Sequence, residues 1–391
     1  MSKKISVGID IGTYQVKVLV AESSSEDNLP RVIGLGMSES KGLRHGYIIN
    51  TNDVVKNLKS AVSQAERTSK CRIRSAYLSV GGIGLSSIAT KGSIMISRAD
   101  LEITEIDLKN ALIFAEENIP SNVILNKKII HTIPIGYKID GQVINGRPVG
   151  MKGAKLEVRV LFAMCIEQHL NDLIKSVNEA GIEVLNVMAS PLAGSLVTLT
   201  KTQKIAGCIL ANIGSETVSL VVYENSIPIS LEVYPIGGTD ITNDIALGFK
   251  IPIDEAESLK LGTIDDLQYP KKKLDEIIFA RLSDIFDLIE AHLKKIGRNG
   301  LLPAGIILTG GGSGIETIED LAKASLKLPS RIAQSGVMPG LKSDQIKDST
   351  WSVAYGLSVW GLQDSDEMPE GIRLSQNILD PIKNWIKRFL P

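Results

Sequence analysis

Glycine and hydroxyl residues at the tip of an apolar hairpin can hold a phosphate, and this chain carries that pattern twice. The first copy reads Val7-Gly8-Ile9-Asp10-Ile11-Gly12-Thr13-Tyr14-Gln15-Val16-Lys17-Val18. The second reads Ile209-Leu210-Ala211-Asn212-Ile213-Gly214-Ser215-Glu216-Thr217-Val218-Ser219-Leu220. Asp10 aligns with Asn212, Gly12 with Gly214 and Thr13 with Ser215, and the apolar runs coincide. A phosphate needs several backbone N–H groups converging on it, and glycine lets the chain come close. Gly12-Thr13-Tyr14 and Gly214-Ser215-Glu216-Thr217 supply these groups, with hydroxyls on Thr13, Ser215 and Thr217. Lys17 is placed to balance phosphate charge, and Asp10 ends its strand where a carboxylate holds Mg²⁺-bound water. Either turn alone reads as an ordinary hairpin. Together they read as opposing jaws around one nucleotide.

Three smaller patterns extend the set. Gly305-Ile306-Ile307-Leu308-Thr309-Gly310-Gly311-Gly312-Ser313-Gly314 runs a buried strand into bare backbone, against which an adenine face can pack. A helix follows, and its N-terminus favours anions. Gly237-Gly238 opens another helix near the second hairpin. Glu257 and Lys260 share a helix face, spaced either to clasp ribose hydroxyls or to form a solvated ion pair.

These residues need a scaffold of two lobes. At 391 residues the chain exceeds what one compact core holds. Its 43% hydrophobic and 22% charged content is that of a globular protein. A formal net charge of −1 provides no global field toward nucleic acid. Cys71, Cys165 and Cys208 lack metal-ligand spacing and read as reduced thiols. His45, His131, His169 and His292 are scattered, against a zinc site. The start, Lys3-Lys4 before a strand broken by Asp10, does not read as a signal peptide. No stretch approaches the ~20 apolar residues of a membrane-spanning helix.

Strand patterns cover residues 5–10, 15–21, 31–36 and 75–80, with a helix between them capped by Thr51-Asn52-Asp53. Residues 84–161 change character and read as a compact β-α-β insertion in the first lobe. The second lobe opens near Ala206, with strong helices over 253–262 and 275–296. Residues 363–371 are acidic and punctuated by Pro and Gly, which reads as a linker.

Taken together, the two hairpins and the Gly310–Gly314 turn resemble the actin/sugar-kinase/chaperone ATPase superfamily. Within it the chain resembles, over almost its whole length, the FtsA family of bacterial cell-division proteins. Four features carry that likeness. They are Arg44-His45-Gly46 before the first capped helix, the insertion with Asn145-Gly146-Arg147-Pro148-Val149-Gly150-Met151-Lys152-Gly153, the matched strings Ala256-Glu257-Ser258-Leu259-Lys260 and Ala304-Gly305-Ile306-Ile307-Leu308-Thr309-Gly310-Gly311, and the tail. The resemblance implies an α/β, actin-like two-lobed fold of duplicated ribonuclease-H-like sheets flanked by helices. It divides the chain into subdomain 1A (1–83 and 163–205), an inserted 1C (84–162), 2A (206–240), 2B (241–303), a closing segment (304–362), a linker (363–376) and a C-terminal amphipathic helix (377–391).

The family further implies ATP with Mg²⁺ in the cleft, actin-like filaments, and tethering of FtsZ filaments to the cytoplasmic face of the membrane at the division septum. It assigns the FtsZ tail to 2B, where Arg281 matches a basic position and Lys294-Lys295 lie nearby. Later division proteins would meet the insertion. One departure stands out. The superfamily's second hairpin begins with Asp and continues with glycines, whereas this chain has Asn212 and then Gly214-Ser215-Glu216. An amide cannot act as a base, so the expectation is nucleotide binding with weak or absent hydrolysis. The alternatives are a PilM-like pilus adaptor and a small-molecule kinase using Asp240 or Asp244.

The tail itself reads as a membrane anchor. Ile378, Leu379, Ile382, Trp385, Ile386, Phe389 and Leu390 recur at helical spacing, with Lys383, Lys387 and Arg388 on the other side. That is the composition of a helix lying in an anionic membrane surface, unless it packs on its own body.

Overall fold

The computed structural model describes residues 4–23, 30–263, 269–333 and 349–364. The first lobe opens with β1 (Ile5–Ile11), β2 (Gln15–Glu22) and β3 (Arg31–Glu39), followed by a small hairpin of β4 (Leu43–Arg44) and β5 (Tyr47–Ile48). Helix α1 (Thr51–Ser69) then leads to β6 (Ser75–Val80). The cap of α1 lies one residue earlier than the sequence pattern suggests. Asn50, in extended backbone, accepts from the amides of Asn52 and Asp53, and Thr51 is already helical.

The insertion contains β7 (Ser86–Met95), α2 (Glu105–Glu117), α3 (Ser121–Ile124), β8 (Lys127–Ile139), β9 (Gln142–Ile144) and β10 (Lys155–Ile166). It thus carries more strands than a bare β-α-β unit. The first lobe resumes with α4 (Glu167–Glu179), β11 (Glu183–Ala189), α5 (Ser190–Thr198) and α6 (Lys201–Ala206). The second lobe follows as β12 (Cys208–Ile213), β13 (Val218–Glu224), β14 (Ile227–Tyr234), α7 (Gly238–Phe249), α8 (Ile253–Lys260), α9 (Lys271–Lys295), β15 (Ile306–Thr309), α10 (Ile318–Leu326) and β16 (Ser330–Ile332). Helix α11 (Ser352–Asp364) closes the described chain.

The duplication inferred from the hairpins extends to whole sheets. The first lobe orders its strands β3-β2-β1-β6-β11 and the second β14-β13-β12-β15-β16. In each, the first strand is central, antiparallel to the second and parallel to the fourth. Central strands with cover on both faces demand continuous apolar residues, which Val18, Leu19 and Val20 or Leu220, Val221 and Val222 provide.

Helices α5 and α11 fill the space between the sheets. Their apolar residues Leu192, Ala193, Val353 and Leu357 join Ile9, Leu78, Leu210 and Val221 in one core. Gly8 permits that packing, because a Cβ there would lie 2.1 Å from the Ala354 carbonyl oxygen. A second core lies outside the second sheet, where α9 presents Leu274, Ile278, Leu282, Ile285, Phe286, Ile289 and Leu293 at spacings of three and four.

The insertion interrupts the first lobe in sequence but continues the sheet of the second. β14 meets β7 at Glu232 and Ser86. Ser87 Oγ reinforces the seam, accepting from the Leu231 amide at 2.7 Å and donating to its carbonyl at 2.8 Å.

Burial pushes both His131 and His292 down to about 4, and together they set an acid limit on this fold. His292 is buried on α9, with Nε2 2.9 Å from Ser230 Oγ. It therefore stays neutral when folded. The unfolded residue takes its proton near pH ~6.5, so stability is full above that pH and declines as pH falls toward 4. The expected loss from His292 is roughly 3 kcal/mol. Denaturant titrations between pH 7 and pH 4 check this, and His292→Gln should make the decline shallower by its share, leaving that of His131.

Candidate functional site

The two hairpins match in register as well as in residue type. β1 and β2 pair Ile11 with Val16 and Asp10 with Lys17; β12 and β13 pair Ile213 with Val218 and Asn212 with Ser219. Each turn closes with the same bond: Gly12 N–H to the Gln15 carbonyl at 3.1 Å, and Gly214 N–H to the Thr217 carbonyl at 2.8 Å. Thr13 therefore corresponds to Ser215, and Tyr14, which is 61% exposed, to Glu216.

Beneath the first turn, Asp10 accepts from Ser79 Oγ at 2.7 Å. Burial raises its pKa, opposed by that hydrogen bond and by the charge of Lys17. The Lys17 ammonium donates to the Thr350 carbonyl at 2.9 Å and lies over the Trp351 ring, so this cation also ties the hairpin to the start of α11. In the second lobe, Asn212 lies beside Thr309, whose hydroxyl reaches the Ser349 carbonyl at 3.1 Å. Ser79 and Thr309 thus form a second tier of the repeat. Their flanking sequences share too little for the pattern to mark them.

Around the second hairpin many donors are already committed. Gly238 N–H donates to the Gly214 carbonyl at 2.9 Å, and Thr239 N–H to the Ser215 carbonyl at 2.8 Å. Ser215 Oγ is 2.7 Å from Thr239 Oγ1, and Gly237 N–H donates to Asp240 Oδ2 at 2.7 Å. Gly238 and Thr239 accordingly brace the hairpin with their amides, while the Gly237 amide is taken up by Asp240.

Glu257 and Lys260 form a built network, not a solvated pair. Lys260 Nζ bonds Glu257 Oε2 at 2.7 Å, Thr242 Oγ1 at 2.8 Å and the Gly238 carbonyl at 3.1 Å, with its side chain only 10% exposed. The pair locks α8 to the first turn of α7, which itself sits on the hairpin.

The glycine turn after β15 forms a short 3-10 helix, Gly311–Gly314. Ser313 folds back, its hydroxyl donating to the Gly310 carbonyl at 2.7 Å. Gly310 and Gly312 press on Asn212 and Ile213, whereas a Cβ on Gly311 would meet nothing within 4 Å.

One residue brought here by the fold carries no sequence signal beyond the Arg44-His45-Gly46 string. His45, in the β4–β5 turn, donates its backbone N–H to Glu216 Oε2, and its Nδ1 lies 3.3 Å from the Glu216 carbonyl oxygen. The first lobe thus touches the tip of the second hairpin.

The donor set suits a hard cation held through water, since Asp10 offers a partly buried carboxylate backed by a hydroxyl. Among the described residues no group of three or more His, Cys, Asp or Glu could hold a metal directly. Asp240 and Asp244, the kinase candidates, are both engaged: Asp240 caps Gly237, and Asp244 grips Arg281 at 2.7 and 3.0 Å. Arg281 also reaches Asp284 at 3.2 Å. Lys294 pairs with Glu290 at 2.8 Å and Lys295 with Glu232 at 4.0 Å. These three cations therefore meet carboxylates and do not form an unneutralised groove. The expected membrane residues, Ile382, Lys383, Trp385, Ile386, Lys387, Arg388, Phe389 and Leu390, lie outside the described residues. No described helix is long and apolar enough to cross a membrane.

Comparison with known proteins agrees with this architecture. A family model for the cell division protein FtsA matches residues 209–356, and one for the SHS2 domain inserted in FtsA matches 82–163. The cell division protein FtsA of Pseudomonas aeruginosa is 30% identical, covering 99% of this chain and 98% of its own. That of Escherichia coli K12 is 28% identical, covering 99% and 97%. Among solved structures, the PilM-PilN type IV pilus biogenesis complex shares the fold with a TM-score of 0.68 at 18% identity, covering 91% of this chain and 98% of its own. MreB5 of Spiroplasma citri, solved bound to AMPPNP, gives 0.56 at 13% identity, covering 95% and 100%. The actin-like fold, the inserted domain and full-length similarity together place this chain in the FtsA family of cell division proteins.

Proposed function

We propose that this FtsA-family protein binds ATP with Mg²⁺ between its hairpins, assembles into actin-like filaments, and tethers FtsZ filaments to the cytoplasmic face of the membrane at the septum. The carrying observation is the pair of register-matched turns, one on the central strand of each lobe. With the Gly12 and Gly214 amides closing their turns, those of Thr13–Tyr14 and Ser215–Thr217 would receive the phosphates, with Thr13 and Thr217 adding hydroxyls. Asp10 would order the cation's water shell, and the cation would neutralise phosphate charge. Gly311 would lie under the base, and Glu257 would meet the ribose. A solved relative in fold, MreB5, was crystallised with AMPPNP, which supports the ligand class.

Hydrolysis is expected to be weak. Asn212 stands where a carboxylate would be, and it cannot take a proton from water. Nucleotide then serves as a structural ligand whose binding favours one lobe arrangement. The region 241–303 would receive the FtsZ tail, and the insertion would meet later division proteins. A PilM-like adaptor shares the fold, but full-length similarity favours the division protein. A kinase would need a free base, and Asp240 and Asp244 are occupied.

Isothermal titration with ATP tests the core of this reading. Wild-type protein should bind in Mg²⁺, and Asp10→Asn should bind about tenfold to a hundredfold more weakly, the value of a charge-assisted bond. In EDTA the two should converge. Absence of binding by the wild type at millimolar ATP would remove the proposal.

A further inference from the structure

Glu216 is an unexpected residue at this place. It occupies the tip of a turn whose other members suit an anion, and it brings a negative charge. Its carboxylate accepts from the backbone N–H of His45 in the opposite lobe. The two residues meet a second time, with His45 Nδ1 3.3 Å from the Glu216 carbonyl oxygen. His45 is held for this role. Its φ is +48°, a conformation L residues seldom adopt, so its N–H direction is fixed by the β4–β5 turn. Its own carbonyl accepts from Ile83 N–H at 3.3 Å, in the loop that follows β6 and Ser79. Ser79 in turn donates to Asp10. A chain of contacts therefore runs from the second hairpin, through His45 and the β6 loop, to the carboxylate beneath the first.

We propose that the Glu216–His45 contact is an interlobe latch released by the polyphosphate of a bound nucleotide. This rests on the nucleotide reading of the site and adds its regulation. A phosphate chain held by Gly214–Thr217 brings several negative charges beside one carboxylate, and the repulsion grows with the charge of the ligand. Release of Glu216 frees the His45 amide and unties the β4–β5 turn from the second lobe. Triphosphate, carrying one more charged group than diphosphate, releases it more fully. The same carboxylate lowers affinity for the ligand that displaces it, as linkage requires.

Hydrogen exchange of the full-length protein, read on peptides spanning residues 43–48, gives the latch directly. Without nucleotide the His45 amide should be protected in wild type and less so in Glu216→Ala. Saturating ATP·Mg²⁺ should deprotect it, and ADP should do so less. Glu216→Gln keeps an oxygen acceptor for His45 while removing the charge. It should melt like wild type, bind ATP about tenfold more tightly, and gain less for ADP. Wild type that binds ATP while leaving the 43–48 peptides unchanged would overturn the latch. So would a Glu216→Gln variant with ATP affinity within about twofold of wild type. A wild type that binds no nucleotide overturns the site reading itself, and the latch with it; the binding isotherm separates these cases.

Discussion

Leucine at position 311 is expected to weaken ATP binding at least tenfold while leaving the protein folded, whereas leucine at position 310 should destabilise the fold itself. The adjacent glycines occupy opposite environments. Gly310 sits at φ +90°, and a Cβ there would lie 2.2 Å from Asn212 Oδ1 and 2.5 Å from the Ile213 carbonyl oxygen. Backbone of that kind costs about 1–3 kcal/mol for a non-glycine residue before any clash is counted. The clash is with the central strand β12, which cannot withdraw without breaking its ladder to β15. Several kcal/mol out of a total of about 5–15 kcal/mol removes a large share of the stability and lowers the melting temperature by several degrees.

Gly311 has no such neighbour, and its Cβ would enter open space beside the second hairpin. Packing does not require glycine there. A ligand that approaches the backbone closely does. Gly311→Leu should therefore melt within a degree or two of wild type (about 0.5 kcal/mol at an unconstrained site) yet bind ATP at least tenfold more weakly, about 1.4 kcal/mol. Thermal melting and calorimetry on the two variants check both halves. If Gly311→Leu binds ATP like wild type, the base does not lie against this turn.

The contrast between these glycines also shows how far the sequence could be read. The hairpins are legible because apolar runs around a glycine turn are a local signal, and two copies align without knowledge of the fold. The repeat covers only each hairpin, and the rest of the sheet order rests on pairings it does not encode. The second tier, Ser79 and Thr309, was not legible. Their place is set by parallel pairing with strands far away in sequence, and Ser79-Val80-Gly81 and Thr309-Gly310-Gly311 share only a small hydroxyl and a glycine. The ion pairs behaved likewise. Arg281 reads as a surface cation along its helix, and only the packing of α9 on α7 brings it to Asp244, 37 positions away. Glu216 could be flagged as out of keeping with its turn, but its partner His45 lies 171 positions away, across the cleft. Local periodicity reports elements, whereas charge partners belong to tertiary placement. For that reason the paired hairpin turns are visible in the sequence, and the Glu216–His45 contact only in three dimensions.

Removal of residues 372–391 should abolish recovery of the protein with anionic vesicles, and the size of that loss should depend on assembly. The segment pairs Ile382, Trp385, Ile386, Phe389 and Leu390 with Lys383, Lys387 and Arg388. Each large apolar side chain is worth about 1.5–3 kcal/mol if fully buried, and each cation near anionic lipid about 1 kcal/mol. Forming so short a helix opposes this, since segments under ~12–15 residues are marginal in water. One tail should hold weakly and exchange freely. A filament would display many, and linked tails would gain about 10²–10⁴ in avidity over one. Flotation of the full chain should therefore rise steeply with protein concentration and with ATP, while the truncated chain stays in solution throughout. Trp385→Glu should fall between them, and added salt should weaken binding of the full chain by screening its cations. Equal flotation of full and truncated chains would place the membrane contact elsewhere on the body. Flotation indifferent to concentration would instead mean that a single tail suffices, and the link between nucleotide, assembly and membrane residence would be lost.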